Sequence, residues 1–143
     1  AYFGEKDYQQ LAVVRRMVLD LSFPVQIVGC PIVREENGLA MSSRNTYLST
    51  EQYEAAAVLN RALRSAVDLA LSGETNGETV RSHITEMIAT EPLVSAPDYV
   101  AIVDAHSLES LDLLAGDVRI ILAAHVGRPR LLDNMGLTIP TSE

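Results

Sequence analysis

The residues of this chain that could do chemistry are concentrated in one short stretch, which runs Leu39-Ala40-Met41-Ser42-Ser43-Arg44-Asn45. Four consecutive positions in it supply two hydroxyls, a guanidinium and a carboxamide. An arginine can hold two phosphate oxygens at once, and neighbouring hydroxyls and backbone N–H groups can complete the cradle. The same groups act where negative charge develops in phosphoryl or adenylyl transfer. The stretch therefore predicts a phosphate site, and a solvated serine-rich loop is the alternative interpretation.

A second stretch, Gly4-Glu5-Lys6-Asp7, lies just before a predicted helix. A helix N-terminus carries unpaired N–H groups and a partial positive charge, to which Lys6 would add a full charge. Asp7 and Gln10 have the spacing of a capping box. From the first helical turn, Gln10 can also hydrogen-bond a hydroxyl or a carboxylate. The alternative interpretation of Lys6 is an exposed turn lysine.

The elements around these two stretches predict where they meet. A strand end at 1–3, a helix over about 8–21 and a buried strand over 25–30 form a right-handed crossover in a parallel sheet. Ligands of such sheets bind outside the carboxyl ends of the strands. Because Gly4–Asp7 and Pro31–Val33 both follow strand ends, we expect them side by side. We therefore predict that the Gly4–Asp7 turn and the Ser-Ser-Arg turn hold the phosphates of one nucleotide from two sides.

The remainder of the chain predicts a small α+β unit. One helix over about 51–71 is capped by Ser49 or Thr50, and a second runs over about 78–90. Strand-like runs follow at 99–103, 118–126 and 131–139. Gly127–Arg130 makes a tight connection that predicts a hairpin between the last two.

Composition restricts the class of protein. The chain has 143 residues, 48% of them hydrophobic, and a net charge of −8 that argues against a nucleic-acid binder. Residues 1–50 hold five Lys/Arg and five Asp/Glu, so a small polyanion would meet least repulsion there. No apolar run is long enough for a membrane span, and no secretory signal is visible. A lone cysteine, Cys30, fits a reducing cytoplasm. His83, His106 and His125 lack metal-ligand spacing, so no metal-binding residue is predicted.

Several segments together resemble the pantoate–β-alanine ligase (pantothenate synthetase) family. They are Phe3–Leu11, Val33–Glu35, Gly38–Asn45, Tyr47-Leu48 and Arg130–Asn134. The resemblance implies an enzyme that joins D-pantoate to β-alanine with ATP and Mg²⁺, through a pantoyl-adenylate, releasing pyrophosphate and then AMP. It also implies a fold: the end of a Rossmann-like, nucleotidyltransferase-like parallel sheet, followed by a small α+β domain with two helices and about three antiparallel strands.

The resemblance implies roles for individual residues as well. Lys6, Ser42, Ser43 and Arg44 are expected to be catalytic. The ATP site is expected to consist of Gly4, Glu5, Lys6, Asp7, Val33, Met41, Ser42, Ser43 and Arg44. Within it, Lys6 would lie on phosphate, Val33 on the adenine or ribose side, and the Met41–Arg44 loop would close over the phosphates. Gln10 is expected to bind pantoate.

The family's N-terminal half carries a His-x-Gly-His motif that this sequence does not contain. The chain is therefore expected to correspond to the C-terminal half of the enzyme. Residues 1–32 would be the last strand-helix-strand of the catalytic domain, and residues 33–143 the small domain. We expect no activity from this chain alone, and either self-association or a need for the N-terminal half. The full-length enzyme is expected to be a cytoplasmic homodimer without nucleic-acid or membrane partners.

Two other interpretations stay open. One is a different adenylate-forming nucleotidyltransferase with another acceptor. The other is a non-catalytic nucleotide-binding or dimerisation module in which the Ser-Ser-Arg loop is only surface. Substitution of Arg44 by alanine separates them: an enzyme is expected to lose phosphate binding with its fold retained, and a module in which the loop is only surface is expected to change in neither property.

Overall fold

The first part of the fold is a strand, a helix and a parallel strand. A computed structural model describes residues 1–140 of the chain. Strand β1 (Tyr2–Gly4) runs into a 3-10 helix (Glu5–Asp7) and then helix α1 (Tyr8–Asp20). Strand β2 (Val28–Cys30) pairs with β1 in parallel, with Gly4 opposite Cys30. The predicted parallel crossover is confirmed, and it leaves the carboxyl ends of both strands side by side.

A three-stranded antiparallel sheet forms the centre of the molecule. Its order is β3 (Tyr99–Asp104), β4 (Gly116–His125) and β5 (Arg130–Ile139). The connection between β4 and β5 turns at Gly127, whose φ is +65°. Valine, isoleucine and leucine dominate the middle of β4, as expected for a buried central strand. The three predicted strands and the hairpin are confirmed.

Three helices pack on one face of this sheet: α2 (Thr50–Ala56), α3 (Val58–Leu71) and α4 (Gly77–Ala89). Alternate residues of β4, such as Ile120 and Leu122, join their core. The predicted helix over 51–71 is wrong in one respect, because it breaks at Ala57. There the amide donates to the Glu54 carbonyl at 3.3 Å, a tighter i to i+3 contact that interrupts the α-helical ladder. Of the two predicted caps, Ser49 is the one observed, and it caps α2 through a full capping box with Gln52.

The opposite face of the sheet packs against the N-terminal strand-helix-strand. Ile121 and Val103 alternate with the helix-facing residues and contact Tyr8 and Leu11 of α1. The Tyr8 hydroxyl also donates to the Ala105 carbonyl. The sheet therefore carries a layer on each face, which agrees with the predicted fold class.

Two predictions for the N-terminal part were wrong in detail. The strand predicted over 25–30 is confined to Val28–Cys30, and its residues are half-buried instead of buried, because β1 is its single partner among the described residues. The apolar face predicted for α1 is buried near its start at Leu11 but exposed at Met17. The sheet reaches the first turns of the helix and not the last ones.

The predicted boundary at residue 32 stays a prediction, and residues 141–143 of the predicted second domain lie outside the described residues. Among the helices of residues 1–140, none has both the length and the apolar character needed to cross a membrane.

Candidate active site

The turn at Gly4–Asp7 lies at the carboxyl end of β1, where β2 also ends. Lys6 is at its centre and is half-buried. The capping box predicted for Asp7 and Gln10 is wrong, because the Asp7 side chain forms no cap hydrogen bond. The chain enters α1 directly from the 3-10 helix, which leaves the first amides of α1 without a side-chain cap from Asp7. The turn therefore offers a cation next to helix N–H groups.

The Ser-Ser-Arg stretch follows a small hairpin. The Met41 amide donates to the Val33 carbonyl at 2.9 Å, and the Glu35 amide donates to the Leu39 carbonyl at 2.8 Å. The predicted turn at Asn37-Gly38 closes this hairpin, with Gly38 at a φ of +91° that favours glycine. The hairpin therefore delivers Met41 and the residues after it to a defined position.

A second 3-10 helix (Ser43–Tyr47) begins directly after the hairpin. The Ser42 hydroxyl accepts the Arg44 amide at 3.1 Å and caps the start of this helix. The Asn45 carboxamide donates to the Ala40 carbonyl at 3.1 Å and ties the helix back to the hairpin. The side chains of Ser43 and Arg44 remain exposed. The loop is thus a turn fixed by hydrogen bonds, and the Arg44 guanidinium lies on the surface.

Lys6 and Arg44 are brought near one another by these two turns. Burial lowers the pKa of the Lys6 ammonium from its usual value of 10.5, and the positive charge of Arg44 lowers it further. Within residues 1–140 neither side chain forms an ion pair, although Arg44 donates to the Arg130 carbonyl at 3.1 Å. The charges of Asp7 and Asp133 act on the pKa of Lys6 in the opposite direction, although neither carboxylate is ion-paired with Lys6 within residues 1–140. Two cations near each other favour the binding of an anion.

Strand β5 anchors the hairpin through Asp133. The Asp133 carboxylate accepts two parallel hydrogen bonds from Arg34, at 2.8 and 2.9 Å. Asp133 is 2% exposed, so this bidentate pair is shielded from water. The same guanidinium donates to the Gly38 carbonyl at 3.0 Å, at the tip of the hairpin.

The next residue of β5, Asn134, anchors the Lys6 turn. Its Nδ2 donates to the carbonyls of Glu5 and Lys6, at 2.9 and 3.0 Å. Its Oδ1 accepts from Nε of Arg119 at 2.8 Å. Arg119 lies 4.3 Å from the centre of the Tyr8 ring and 3.5 Å from the Glu5 carboxylate. Burial lowers the pKa of Arg119.

The other predicted site residues surround the two turns. Val33 and Met41 present exposed apolar side chains, at 64% and 50%. Gln10 is exposed on α1, one turn after the Lys6 turn. Glu5 directs its carboxylate to Arg119. Strand β5 therefore connects the Lys6 turn to the hairpin that precedes the Ser-Ser-Arg stretch, and the predicted roles of the individual residues stay predictions.

A cavity of about 590 Å³ adjoins Arg44 on the side of the β4–β5 connection. Its lining is Arg44, Tyr47, Gln52, Gly127, Arg128, Pro129 and Arg130. We call the pair Lys6 and Arg44 the two-cation site. Lys6 does not line the cavity, so the cavity adjoins this site and is separate from it.

The histidines lie elsewhere. His83 on α4 hydrogen-bonds Ser65 on α3 at 2.7 Å, so it joins two helices. His106 contacts Asp117, and His125 contacts Asp98, on the surface of the sheet. No group of three or more potential metal ligands occurs within residues 1–140.

Sequence reasoning missed the roles of Arg34, Arg119, Asp133 and Asn134 in supporting the site. A signal was present in the strand patterns. Asp133 and Asn134 interrupt an apolar run in β5, and Arg119 interrupts the apolar run of β4. Charged or amide side chains at buried positions of a strand are costly unless they are paired, so their presence indicates a fixed network.

Comparison with known proteins gives a consistent assignment. The sequence model of a family described as "Pantoate-beta-alanine ligase" matches residues 1–136. The chain is 55% identical over 135 residues to a pantothenate synthetase of Heliobacterium modesticaldum, which covers 94% of this chain and 48% of that protein. The chain spans about half the length of the curated relatives it matches, namely their C-terminal half.

Solved structures agree in fold. The pantothenate synthetase of Thermus thermophilus superimposes with a TM-score of 0.86 at 48% identity, covering 94% of this chain and 48% of that one. A pantoate–β-alanine ligase of Francisella tularensis, complexed with Beta-gamma ATP and β-alanine, gives a TM-score of 0.60 at 29% identity. That match covers 94% of this chain and 42% of the other.

Proposed function

The chain belongs to the pantoate–β-alanine ligase family, and we propose on that basis that it carries the phosphate-binding side of an ATP-dependent ligase acting on D-pantoate and β-alanine. The observation that carries the proposal is the proximity of Lys6 and Arg44, whose charges influence each other and which form no ion pair in the described part of the chain, although Asp7 and Asp133 lie close enough to act on Lys6. A polyphosphate would supply the missing negative charge. The Francisella tularensis relative is complexed with an ATP compound, which supports ATP as the source of that polyphosphate.

The proposed reaction has two steps. A carboxylate oxygen of pantoate attacks the α-phosphorus of ATP, and the bond to the pyrophosphate oxygen breaks, which gives pantoyl-adenylate and pyrophosphate. The amine of β-alanine then attacks the acyl carbon, loses a proton and expels AMP. Charge on the phosphate oxygens grows in the first step, and fixed cations are most effective where charge develops. Lys6 and Arg44 are proposed to stabilise that charge, with Ser42 and Ser43 donating to the same oxygens.

The remaining residues are proposed to hold the substrates. Gln10 lies one turn into α1 from Lys6 and can donate to the hydroxyl or carboxylate of pantoate. Val33 and Met41 pair through their backbones at the base of the hairpin, and both side chains are exposed. An exposed apolar pair next to a phosphate site suits the flat face of adenine or the ribose. Gly4, Glu5 and Asp7 are proposed to line the ATP site through the backbone of the turn.

Magnesium enters the proposal with the nucleotide and not through this chain. Residues 1–140 contain no group of three carboxylate, histidine or cysteine side chains that could hold the ion without a nucleotide. Protein sites for Mg²⁺ commonly use one or two carboxylates together with substrate phosphates. No step above is assigned to the ion.

We further propose that this chain does not catalyse the reaction alone. Gln10 is exposed, so a bound pantoate would lack an enclosing wall there, and His83, His106 and His125 are each engaged away from the Lys6 turn. A segment equivalent to the N-terminal half of the relatives would complete the site. We also propose that the full-length enzyme forms a homodimer. We propose a cytoplasmic location as well, on the basis of the lone Cys30.

The test is pantoate-dependent exchange between ATP and pyrophosphate. It is measured with this chain alone, and again after adding a separately made N-terminal half of the Heliobacterium modesticaldum relative. We expect no exchange alone and exchange on mixing, which an Arg44→Ala variant would fail to support. Exchange by the chain alone would contradict the proposed need for a second half. Exchange that persists in the mixture with Arg44→Ala would contradict the role of the two-cation site.

A further inference from the structure

We propose that Asn134 is a positioning residue, which holds the backbone of the Lys6 turn at a fixed distance from the Ser-Ser-Arg loop. Its neighbour Asp133 holds that second loop through Arg34. The inference rests on the proposed function, since it concerns the geometry of the same two-cation site. It assigns a task to two side chains of β5 that are buried away from solvent.

The Asn134 carboxamide is fully engaged in one orientation. Its oxygen faces Nε of Arg119 at 2.8 Å, and a guanidinium can donate but not accept. The NH₂ group must then face the carbonyls of Glu5 and Lys6, at 2.9 and 3.0 Å. Asn134 is 1% exposed, so water cannot replace these bonds. Two consecutive carbonyls of the turn are therefore fixed from one side chain.

Arg119 makes this orientation rigid. Its guanidinium stacks over the Tyr8 ring and reaches the Glu5 carboxylate, so the same turn is held at its backbone and at a side chain. The network is closed: Glu5 contacts Arg119, Arg119 contacts Asn134, and Asn134 contacts the Glu5 carbonyl. Closed networks of buried groups stabilise one arrangement more than the sum of their separate bonds.

Asp133 and Asn134 reach different loops because they are consecutive residues of a strand. Asp133 lies opposite Leu122 of the helix-facing set, and Asn134 lies opposite Ile121 of the other set. Successive side chains of a strand leave on opposite faces. One dipeptide thus serves both loops, and the Asn134 amide donates to the Asp133 carboxylate at 2.8 Å.

Charge explains why the two positions differ in residue type. Lys6 and Arg44 repel each other when no anion is bound, so the turn needs an anchor that resists their separation. An acid at position 134 would attract Lys6 and compete with phosphate. A carboxamide holds the backbone without neutralising the ammonium. At position 133 the acid is paired with Arg34 through two hydrogen bonds, which reduces its attraction for Lys6 without removing it.

The test is binding of inorganic pyrophosphate to the full chain by calorimetry, in a double-mutant cycle. We expect Asn134→Ala to weaken binding about tenfold, since two fixed carbonyls are released. In a Lys6→Ala background the same change should weaken binding less than about twofold, because the group that it positions is gone. Equal factors in both backgrounds would overturn the proposal, since a merely structural role acts regardless of Lys6.

Asn76→Ala is the matched control. Asn76 caps α4 through a bond to the Thr79 amide, so its loss lowers stability without touching either loop. Its binding of pyrophosphate should equal that of the wild type. The isosteric change Asn134→Asp adds a second arm: it keeps the contact to Arg119 but cannot donate to the two carbonyls. It should weaken binding at least as much as Asn134→Ala, and wild-type binding by Asn134→Asp would contradict the argument from charge.

Residue-resolved hydrogen exchange separates this inference from the proposed function. If the wild-type chain binds no pyrophosphate, the phosphate site fails, but the positioning claim is still measurable. Asn134→Ala should then speed exchange of the amides of residues 5–9 about tenfold more than that of the β4 amides. Asn76→Ala should produce no such local change. Uniform acceleration in both variants would show that Asn134 contributes only to global stability.

Discussion

Arg44 and Lys6 differ in how the protein holds them, although both contribute a positive charge to the same place. Arg44 is exposed, and its guanidinium makes a single hydrogen bond to a carbonyl, so the fold does not depend on its charge. Lys6 is half-buried, and its backbone is fixed by Asn134. Removal of the Arg44 side chain should therefore leave the stability of the fold unchanged. The protonation state of Lys6 decides whether it contributes a positive charge to the site.

Arg44→Ala is expected to weaken binding of Mg·ATP or pyrophosphate about 10- to 100-fold, because a charge-assisted contact is worth about 1.5–3 kcal/mol. The free energy of unfolding should change by less than about 0.5 kcal/mol, as for other exposed positions. Calorimetry and urea unfolding measure the two quantities. Arg64→Ala, an exposed arginine on α3, is the control and should leave both unchanged. An unfolded Arg44→Ala would show that the residue is structural.

The pKa of Lys6 gives a prediction with a definite sign. Burial and the Arg44 charge lower this pKa below 10.5 in the folded protein. Between the lowered value and 10.5 the unfolded chain binds more protons at this group, so its contribution to stability rises with pH in that window. Anion binding should fall over the same window, as the ammonium is lost. Arg44→Ala should move the pKa of Lys6 upward, which an NMR titration of the lysine side chain measures; an unchanged or lower pKa would contradict the proximity of the two charges.

Sequence reasoning found the charged residues of the site and missed the residues that hold them. Lys6 and Arg44 occur in polar, turn-rich stretches, which indicate candidate functional residues. Asn134 and Arg119 occur inside strands, where alternation predicts only burial. Their partners lie 128 and 15 residues away, and no local pattern shows such pairings. The capping box at Asp7 failed for the converse reason, because the turn geometry imposed by distant contacts overrode a local motif.

Among the elements, the hairpin between Val33 and Met41 tolerates little change at its tip. Gly38 has a φ of +91°, and an added Cβ would lie 2.7 Å from Oδ1 of the buried Asn60. The α3 helix therefore passes directly beneath the hairpin tip, at a position where the turn has no space for a side chain. This contact restricts the hairpin tip, and the hairpin in turn restricts the position of the Ser-Ser-Arg loop that follows it.

Gly38→Ala is expected to lower the free energy of unfolding by about 1–3 kcal/mol, from backbone strain and the clash with Asn60. Gly73→Ala is a suitable control, because its φ is +123° but nothing lies within 4 Å of the added Cβ. The control should show the strain alone and a smaller loss. Urea unfolding measures both. Equal losses in the two variants would show that the contact with Asn60 is unimportant.

Element types were predictable here, and element ends were less so. The strands β4 and β5 follow from their apolar runs and the tight Gly127–Arg130 connection, and the cap at Ser49 follows from capping chemistry, all of which act locally. The break at Ala57 does not, since alanine favours helix and the interruption is a matter of how α2 and α3 pack. The burial of α1 was overestimated because periodicity shows which face is apolar but not how far a neighbour covers it.

The whole molecule leaves apolar surface on its N-terminal layer. Exposed large side chains are concentrated there: Val13, Met17, Leu19, Leu21, Phe23 and Val25. The sheet covers the start of α1 and leaves its later turns to solvent. Apolar surface of this kind favours association with another surface.

Self-association of the chain is therefore expected at micromolar concentration, as measured by sedimentation velocity. Leu19→Glu should reduce it, because Leu19 is 73% exposed on α1. Leu71→Glu places the same charge at a 55% exposed leucine at the end of α3, away from this layer, and should leave association unchanged. A monomeric wild-type chain, or equal effects of the two changes, would contradict the assignment of the contact to α1.

The Asp133–Asn134 pair also has a consequence for the order in which contacts form during folding. The two loops lie within residues 4–44, and their anchors lie 99 and 129 residues further along the chain. Contacts between residues that are far apart in sequence form slowly, because the intervening chain must first be brought together. The strand β5 must therefore be in place before the two loops are held at a fixed distance. The spacing of the proposed phosphate site is thus expected to be among the last features of this fold to form.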